Sequence, residues 1–334
     1  MTDRLSVALI GAGRIGKRHA RTLAFQVPNA ELAIVCDLDE TRARSLATEC
    51  RCDRWSLDAE ATINDPSVDA VVIATSTVAH AHQIVAAARA GKHVFCEKPI
   101  ALDLASTDLA INAAETAGIT LQIGFQRRFD KGFAKAKAMI EAGTLGRIES
   151  IRETMRDPGP PPPEYIPTSG GLFRDMVIHD FDCVRWLIGE NVAELFAYGS
   201  NLVDPIFGKY NDIDTSIVSM KFDSGALAVL DNSRRAGFGY DIRTEIFGSE
   251  GALFVGYSRD TPILHLSSKG VLSDHVHWFL ERFDDAYVEE LQVFVHTIAE
   301  SAPSPVTGAD ARAALILAMA AETSVKDGIP VKIE

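Results

Sequence analysis

Two rhythms of apolar and polar positions divide the chain. In the first third, short apolar runs alternate with stretches of helical period. Runs at 6–10, 31–37, 68–75, 93–96 and 119–123 read as strands, and 14–25, 80–90 and 103–117 as helices. The run over 68–75 is almost unbroken, which suits a strand covered on both faces of a parallel sheet. Asp103 stands at an expected helix N-cap, and Gly91 and Gly118 follow helix ends. Strands alternating with helices predict a parallel sheet with crossover helices. Beyond residue 124 a helix over 132–142 gives way to successive strands. Strands 213–222 and 226–233 flank Asp223-Ser224-Gly225, and 240–247 and 252–257 flank Gly248-Ser249-Glu250-Gly251, both hairpin signals. Helices over 285–300 and 309–326 precede Gly328 and a short strand at 329–333. Val218, Met220 and Phe222 share one strand face and Ile217 the other. One face then covers helices, and the other is expected to meet a second subunit. The predicted fold is α/β: a parallel-sheet domain over 1–122 and an α+β domain over 123–334 with a mainly antiparallel sheet and helices on one side. The terminal helices are free to pack on the first domain.

Charge narrows the partners. The 334 residues carry 33 basic and 46 acidic side chains, a net charge of −13. That argues against a nucleic-acid backbone or an anionic membrane surface. No apolar run approaches the ~18 residues of a membrane span, and the opening Met1-Thr2-Asp3-Arg4 does not begin a signal peptide. Cys36, Cys50, Cys52, Cys96 and Cys183 include no CxxC. Cys50 and Cys52 have no His or Cys nearby to complete a metal site, so reduced thiols, no metal and a cytoplasmic setting are expected.

Gly11-Ala12-Gly13-Arg14-Ile15-Gly16 lies between a strand and a helix, the context in which this motif cradles a dinucleotide pyrophosphate. Gly11 allows the turn, Gly13 the approach of the phosphates and Gly16 the packing of helix on strand. The first domain is therefore read as a Rossmann domain. Asp37 ends the second strand 21 residues after Gly16, where a carboxylate accepts from a ribose hydroxyl and repels a 2′-phosphate. NAD is favoured over NADP, although Arg42 stands nearby.

Glu97-Lys98-Pro99 follows a buried strand. Ligands bind outside such carboxyl ends, so Lys98 is expected beside the cofactor. Gly170-Gly171 leads into a helix on which Asp175, His179 and Asp182 fall within about 60° at 100° per residue. Three ionisable groups together on a helix otherwise rich in Met, Val, Ile, Phe and Trp read as an active-site stripe. Zinc is the competing reading, but no further soft ligand or HExxH spacing accompanies it.

These motifs, with Thr75-Ser76-Thr77 and His80, resemble those of the glucose-fructose oxidoreductase/inositol dehydrogenase (Gfo/Idh/MocA) family over essentially the whole chain. The strand-end loop departs from the usual Thr-Pro-Asn, so an Asn contact to the cofactor is not expected. The resemblance narrows to bacterial inositol 2-dehydrogenases on Gly124-Phe125-Gln126-Arg127-Arg128-Phe129-Asp130, Arg156-Asp157-Pro158 with the proline-rich loop to Tyr165, Gly171 to Met176, Asn232-Ser233-Arg234-Arg235 and Gly239-Tyr240-Asp241. It implies a Rossmann domain followed by an α+β domain with an open, mainly antiparallel sheet, a cis bond before Pro99, a homotetramer joined sheet to sheet, and NAD-dependent oxidation of myo-inositol at C2. It implies cofactor contacts at Gly11, Gly13, Arg14, Ile15, Gly16, Asp37, Thr75, Ser76, His80, Glu97 and Lys98. Arg127, Asp182 and Tyr240 match polyol-contacting positions, and Gln126 and Asp157 are of the right chemical type. Among the catalytic residues Lys98, Asp175 and His179, the imidazole is suited to take the hydroxyl proton. Asp175 would orient it, and Lys98 would hold the substrate oxygen. Lys98 as base with His179 as relay stays open, as do another inositol isomer or an aldose as substrate. A non-catalytic NAD-binding regulator is the rival class, though it has no need of these three residues.

Overall fold

The structure is a computed structural model describing residues 4–256 and 259–333. Tyr257, the last residue of the strand expected over 252–257, lies outside them, as do Met1-Thr2-Asp3 and Glu334. The chain forms two compact units. One runs to Phe129 and takes in Asp285–Leu315; the other comprises Asp130–Asp284 and the chain from Ile316 onward.

The first unit opens with β1 (Leu5–Ile10), α1 (Arg14–Phe25), β2 (Ala30–Cys36), α2 (Glu40–Glu49), the two-residue β3 (Trp55–Ser56) and α3 (Ala59–Ile63). It continues with β4 (Ala70–Ile73), α4 (Thr77–Arg89), β5 (His93–Glu97), α5 (Leu104–Ala117) and β6 (Leu121–Gly124). The Asp103 carboxylate accepts the Ser106 N–H at 2.8 Å to start α5, and Gly118 ends it at φ 66°. Six parallel strands run in the order β3-β2-β1-β4-β5-β6. The order reverses between β1 and β4, the topological switch point where such sheets bind dinucleotides. Every residue of β4 is buried, as its unbroken Ala-Val-Val-Ile requires. The sequence pattern did not show α2, β3 or α3, because α2 buries only Ala43, Leu46 and Ala47 and a two-residue strand has no period.

The second unit begins with α6 (Lys131–Glu141), β7 (Ile148–Arg156), α7 (Ile166–Ser169), a π-helical turn over Phe173–Val177, α8 (Ile178–Ile188) and β8 (Val192–Ser200). Next come α9 (Ile206–Lys209), β9 (Thr215–Phe222), β10 (Leu227–Ser233), β11 (Asp241–Gly248) and β12 (Gly251–Gly256). A hairpin of β13 (Leu264–Ser267) and β14 (Gly270–Ser273) and a short α10 (Phe279–Arg282) follow. The chain closes with α11 (Asp284–Ala299), α12 (Gly308–Asp327) and β15 (Val331–Lys332). Leu291, Phe294 and Val295 of α11 complete the apolar core of the first unit with Val7, Leu9 and Phe95. Seven strands form the second sheet in the order β12-β11-β7-β10-β9-β8-β15. It is antiparallel except where β7 lies parallel to β10. The pattern missed β7, because Glu149, Arg152, Glu153 and Arg156 interrupt its alternation; it also missed β8. The buried faces of Val218, Met220 and Phe222 turn inward, whereas Ile217 and Tyr198 lie on the open face, 43% and 69% exposed. Among the described residues no helix is long and apolar enough to cross a membrane.

Candidate active site

The glycine turn is shaped by two close approaches and one opening. A Cβ on Gly16 would sit 1.8 Å from the Gly11 carbonyl oxygen, and one on Gly11, at φ +100°, 2.5 Å from that of Ala74. A Cβ on Gly13 would meet nothing within 4 Å. The first two glycines thus seat α1 against the sheet, and the third leaves room over the helix N-terminus for a phosphate. Arg14 and Ile15 open that helix. Asp37 accepts the Ala12 N–H at 2.7 Å and the Asp39 N–H at 2.9 Å, which fixes its carboxylate beside the turn. This cradle fits a dinucleotide.

Ser76 is the N-cap residue of α4 and makes no side-chain cap bond. Thr75 Oγ1 donates to Gln83 Oε1 at 2.9 Å. His80 is buried, with Nδ1 2.8 Å from the Pro99 carbonyl and Nε2 3.2 Å from that of Thr75. Burial holds its pKa below the ordinary imidazole value. His80 therefore ties the loop after β4 to the bend after β5, where Lys98-Pro99 is cis. Lys98 is half-buried at that bend. Gln126 and Arg127 lie in the 3₁₀ turn Gln126–Phe129 of the same unit, and Arg127 is only 1% exposed.

In the second unit, register builds the site. The inward-facing residues of β10 are Ala228, Leu230 and Asn232, and the same parity brings Arg234 inward while Arg235 stays exposed. On β7 the inward set is Ile151, Glu153 and Met155, followed by Asp157. Because Arg156 pairs with Ser233 and with Asp241, one further step sets Asp157 beside Arg234 on one side and Tyr240 on the other. Tyr240, Asp157 and Arg234 thus form a row at the ends of three neighbouring strands. Tyr240 is backed by the Phe279 and Phe283 rings at 6.4 and 6.3 Å.

The segment carrying Asp175, His179 and Asp182 is brought to this row. α8 packs on β7, and the buried Asp180 accepts a hydrogen bond from Asn232 of β10. His179 is half-buried and Asp182 buried. The expected single helix is corrected in its geometry: Asp175 sits in the π turn, so the angle between Asp175 and His179 is not that of a regular α-helix. Gly170 and Gly171 enter the segment at φ 87° and 86°, and Asp212 Oδ1 anchors it by accepting the Leu172 N–H at 2.9 Å. Burial pushes the Asp212 carboxyl up.

Asp175 has partners that sequence reasoning did not assign. Tyr165 donates its hydroxyl to Oδ1 at 2.8 Å, and Arg234 donates to Oδ2 at 2.7 Å. The other arm of Arg234 reaches Asp157 Oδ2 at 3.4 Å. Burial works against the Arg234 charge, but Asp175 and Asp157 outweigh it and raise the guanidinium pKa above its ordinary value. The signal for Arg234 was present in the strand parity, whereas nothing local marks Tyr165.

A further cluster lies in the first unit. His19 Nε2 is 2.7 Å from Glu97 Oε1, and donor atoms of His19, Glu97 and Glu290 all fall within 4.8 Å of one another. It is the one such group among the described residues with metal-like spacing. At 2.7 Å His19 and Glu97 are joined directly by a hydrogen bond, which uses the imidazole lone pair or proton an ion would displace. Glu290 is fully buried, and neither of its carboxylate oxygens has a hydrogen-bond partner. Burial, with the Glu97 charge adding to it and Arg18 opposing, pushes its carboxyl well above the usual range. All five cysteines are free and buried, and burial pushes the Cys50 thiol up to about 11.

Comparison with known proteins agrees with this division of labour. Residues 5–125 match an oxidoreductase family with an NAD-binding Rossmann fold, and 133–254 match the GFO/IDH/MocA C-terminal domain. The chain is 44% identical over 331 residues to the myo-inositol 2-dehydrogenase of Thermotoga maritima, covering 99% of each. It is 38% identical over 334 residues to the scyllo-inositol 2-dehydrogenase (NAD(+)) of Bacillus subtilis, covering 100% of this chain and 98% of that one. The crystal structure of scyllo-inositol dehydrogenase from Lactobacillus casei with bound NAD(H) and scyllo-inositol matches at a TM-score of 0.92 and 29% identity, covering 99% of each chain. With an NAD-binding Rossmann fold and the matching C-terminal domain on one chain, this protein belongs to the Gfo/Idh/MocA family of oxidoreductases.

Proposed function

We propose that the protein is an NAD-dependent inositol dehydrogenase that oxidises myo-inositol at C2 to the 2-keto inositol, the opening step of inositol breakdown. The observation that carries this reading is the row of Tyr240, Asp157 and Arg234, to which Asp175, one turn before His179 in the chain, is joined through Arg234. It offers many hydrogen-bonding groups and an excess of acids, which suits a neutral polyol and disfavours a phosphate or carboxylate. The relatives named for myo- and scyllo-inositol support the same substrate class.

NAD, when bound, supplies a hydride acceptor. The glycine turn with Arg14 and Ile15, Asp37, the Thr75-Ser76 loop, His80, Glu97 and Lys98 are the residues assigned to hold it. His179 takes the hydroxyl proton on an imidazole nitrogen, and Asp175 balances the imidazolium. The Lys98 ammonium holds the substrate oxygen and stabilises negative charge as the proton leaves. Lys98 is the alternative base. Gln126, Arg127, Asp157, Asp182 and Tyr240 hydrogen-bond the remaining hydroxyls. The exposed face carrying Tyr198, Ile217, Leu227 and Val229 is the proposed contact of a homotetramer, and five free thiols favour the cytoplasm.

A kinetic screen of inositol isomers and aldoses with NAD and NADP tests the reading. The highest kcat/KM is expected for myo-inositol with NAD. The relative named for scyllo-inositol makes that isomer the second reading, and a scyllo preference would establish it. Tight NAD binding with no NADH formed from any polyol would replace an enzyme with a regulator. Light scattering at micromolar concentration is expected to give a tetramer mass, and a monomer would refute the assembly.

A further inference from the structure

Arg234 is 4% exposed, yet it is a charged side chain at the end of a strand, beside an exposed Arg235. Its two arms reach two acids on different elements: Asp175 in the π turn at 2.7 Å and Asp157 after β7 at 3.4 Å. Its own N–H donates to the Asp214 carbonyl at 2.8 Å, so its backbone is fixed from the neighbouring strand. Breaking one side of such a buried pair leaves the other charge uncompensated. Asp175 is further oriented by the Tyr165 hydroxyl at 2.8 Å.

We propose that Arg234 is a positioning residue for the oxidation: it holds Asp175 at the angle that serves His179 and ties Asp157 to the same frame. This rests on the reading of Asp175 and His179 given above. Arg234 itself touches neither the reacting carbon nor the cofactor in this scheme. A planar guanidinium is required because its fork spans two carboxylates, which a single ammonium does not.

The test is a set of Arg234 variants assayed on the full-length protein with myo-inositol, or with the polyol the isomer screen prefers. Activity of the unmodified protein settles the functional reading independently. Arg234→Gln is expected to lower kcat about 10- to 100-fold, the worth of a hydrogen bond between charged groups, and to raise KM for the polyol, with the Kd for NAD unchanged. Millimolar guanidinium is expected to restore part of kcat in Arg234→Ala. In a cycle with Asp175→Asn, the double variant is expected to lose little more than the worse single one. Arg234→Lys, which keeps the charge and loses the fork, should fold where the neutral variants do not and show an intermediate kcat. Normal kcat and KM in folded Arg234→Gln or Arg234→Lys would overturn the proposal. So would losses that simply add to those of Asp175→Asn, or that follow the folded fraction alone.

Discussion

Each unit buries a cluster of ionisable groups, and the two are solved in opposite ways. In the second unit Asp157 and Asp175 face a buried guanidinium that donates to both, so their charges are held in place. In the first unit Glu290 faces Glu97 with no hydrogen-bonding partner for its oxygens, and Arg18 opposes the burial without overcoming it. An acid in the first setting is held in one orientation by its hydrogen bonds, which is what a proton transfer beside it requires. An acid in the second has its carboxyl pushed well above the usual range by burial. The two acidic clusters thus differ in whether a cation donates hydrogen bonds to the carboxylates: Arg234 does so in the second unit, and among the described residues no donor reaches the Glu290 oxygens in the first.

The largest expected effect tests whether the charged cluster is the chemical one. His179→Ala is expected to lower kcat by roughly 10²–10⁴, the range for a positioned acid–base group, with the Kd for NAD barely changed in a fluorescence titration. The rising limb of kcat between about pH 6 and 9 should vanish with it. Near-normal kcat would transfer the role to Lys98, whose own Lys98→Ala variant should otherwise lose rate while keeping the limb. Next, Asp37→Ala removes an acid of the first unit that is proposed to hold the NAD ribose and stands beside the glycine turn. A loss of about 10- to 100-fold in kcat/KM with NAD follows from one charge-assisted bond, and the preference over NADP should narrow. Better use of NADP by the unmodified protein would contradict the assignment.

The smallest effect sharpens the comparison most. A carboxyl whose folded pKa is raised binds a proton that the unfolded chain has released, so stability falls as pH rises above the ordinary carboxylate range. Denaturant midpoints of the unmodified protein should therefore carry a declining contribution from Glu290 through neutral pH. Glu290→Gln should remove that contribution, flattening the pH slope, so that the variant gains on the unmodified protein as pH rises through neutral. An unchanged pH slope, or a stoichiometric metal ion found by elemental analysis with the His19–Glu97–Glu290 set as ligands, would show that the acid is compensated after all.

The sequence by itself determined what repeats or what is local. Unbroken apolar runs gave the parallel strands, since a strand covered on both faces cannot alternate. Gly11, Gly13 and Gly16 gave the cradle, since their constraint is carried by the backbone within a few residues. The Asp175–His179–Asp182 segment was legible as three ionisable groups in one stripe of a segment rich in apolar residues. The tertiary structure alone decided which groups share a charge. Arg234, Asp157 and Asp175 are far apart along the chain, and only the parallel pairing of β7 with β10 sets the first two side by side. The π turn that aims Asp175 depends on packing, because its residues are as fit for an α-helix. Glu290 lies on a helix whose pattern places it with equal ease at a surface, and only the return of α11 to the first unit buries it against Glu97. Electrostatic pairing is set by distances through space, which no local period encodes.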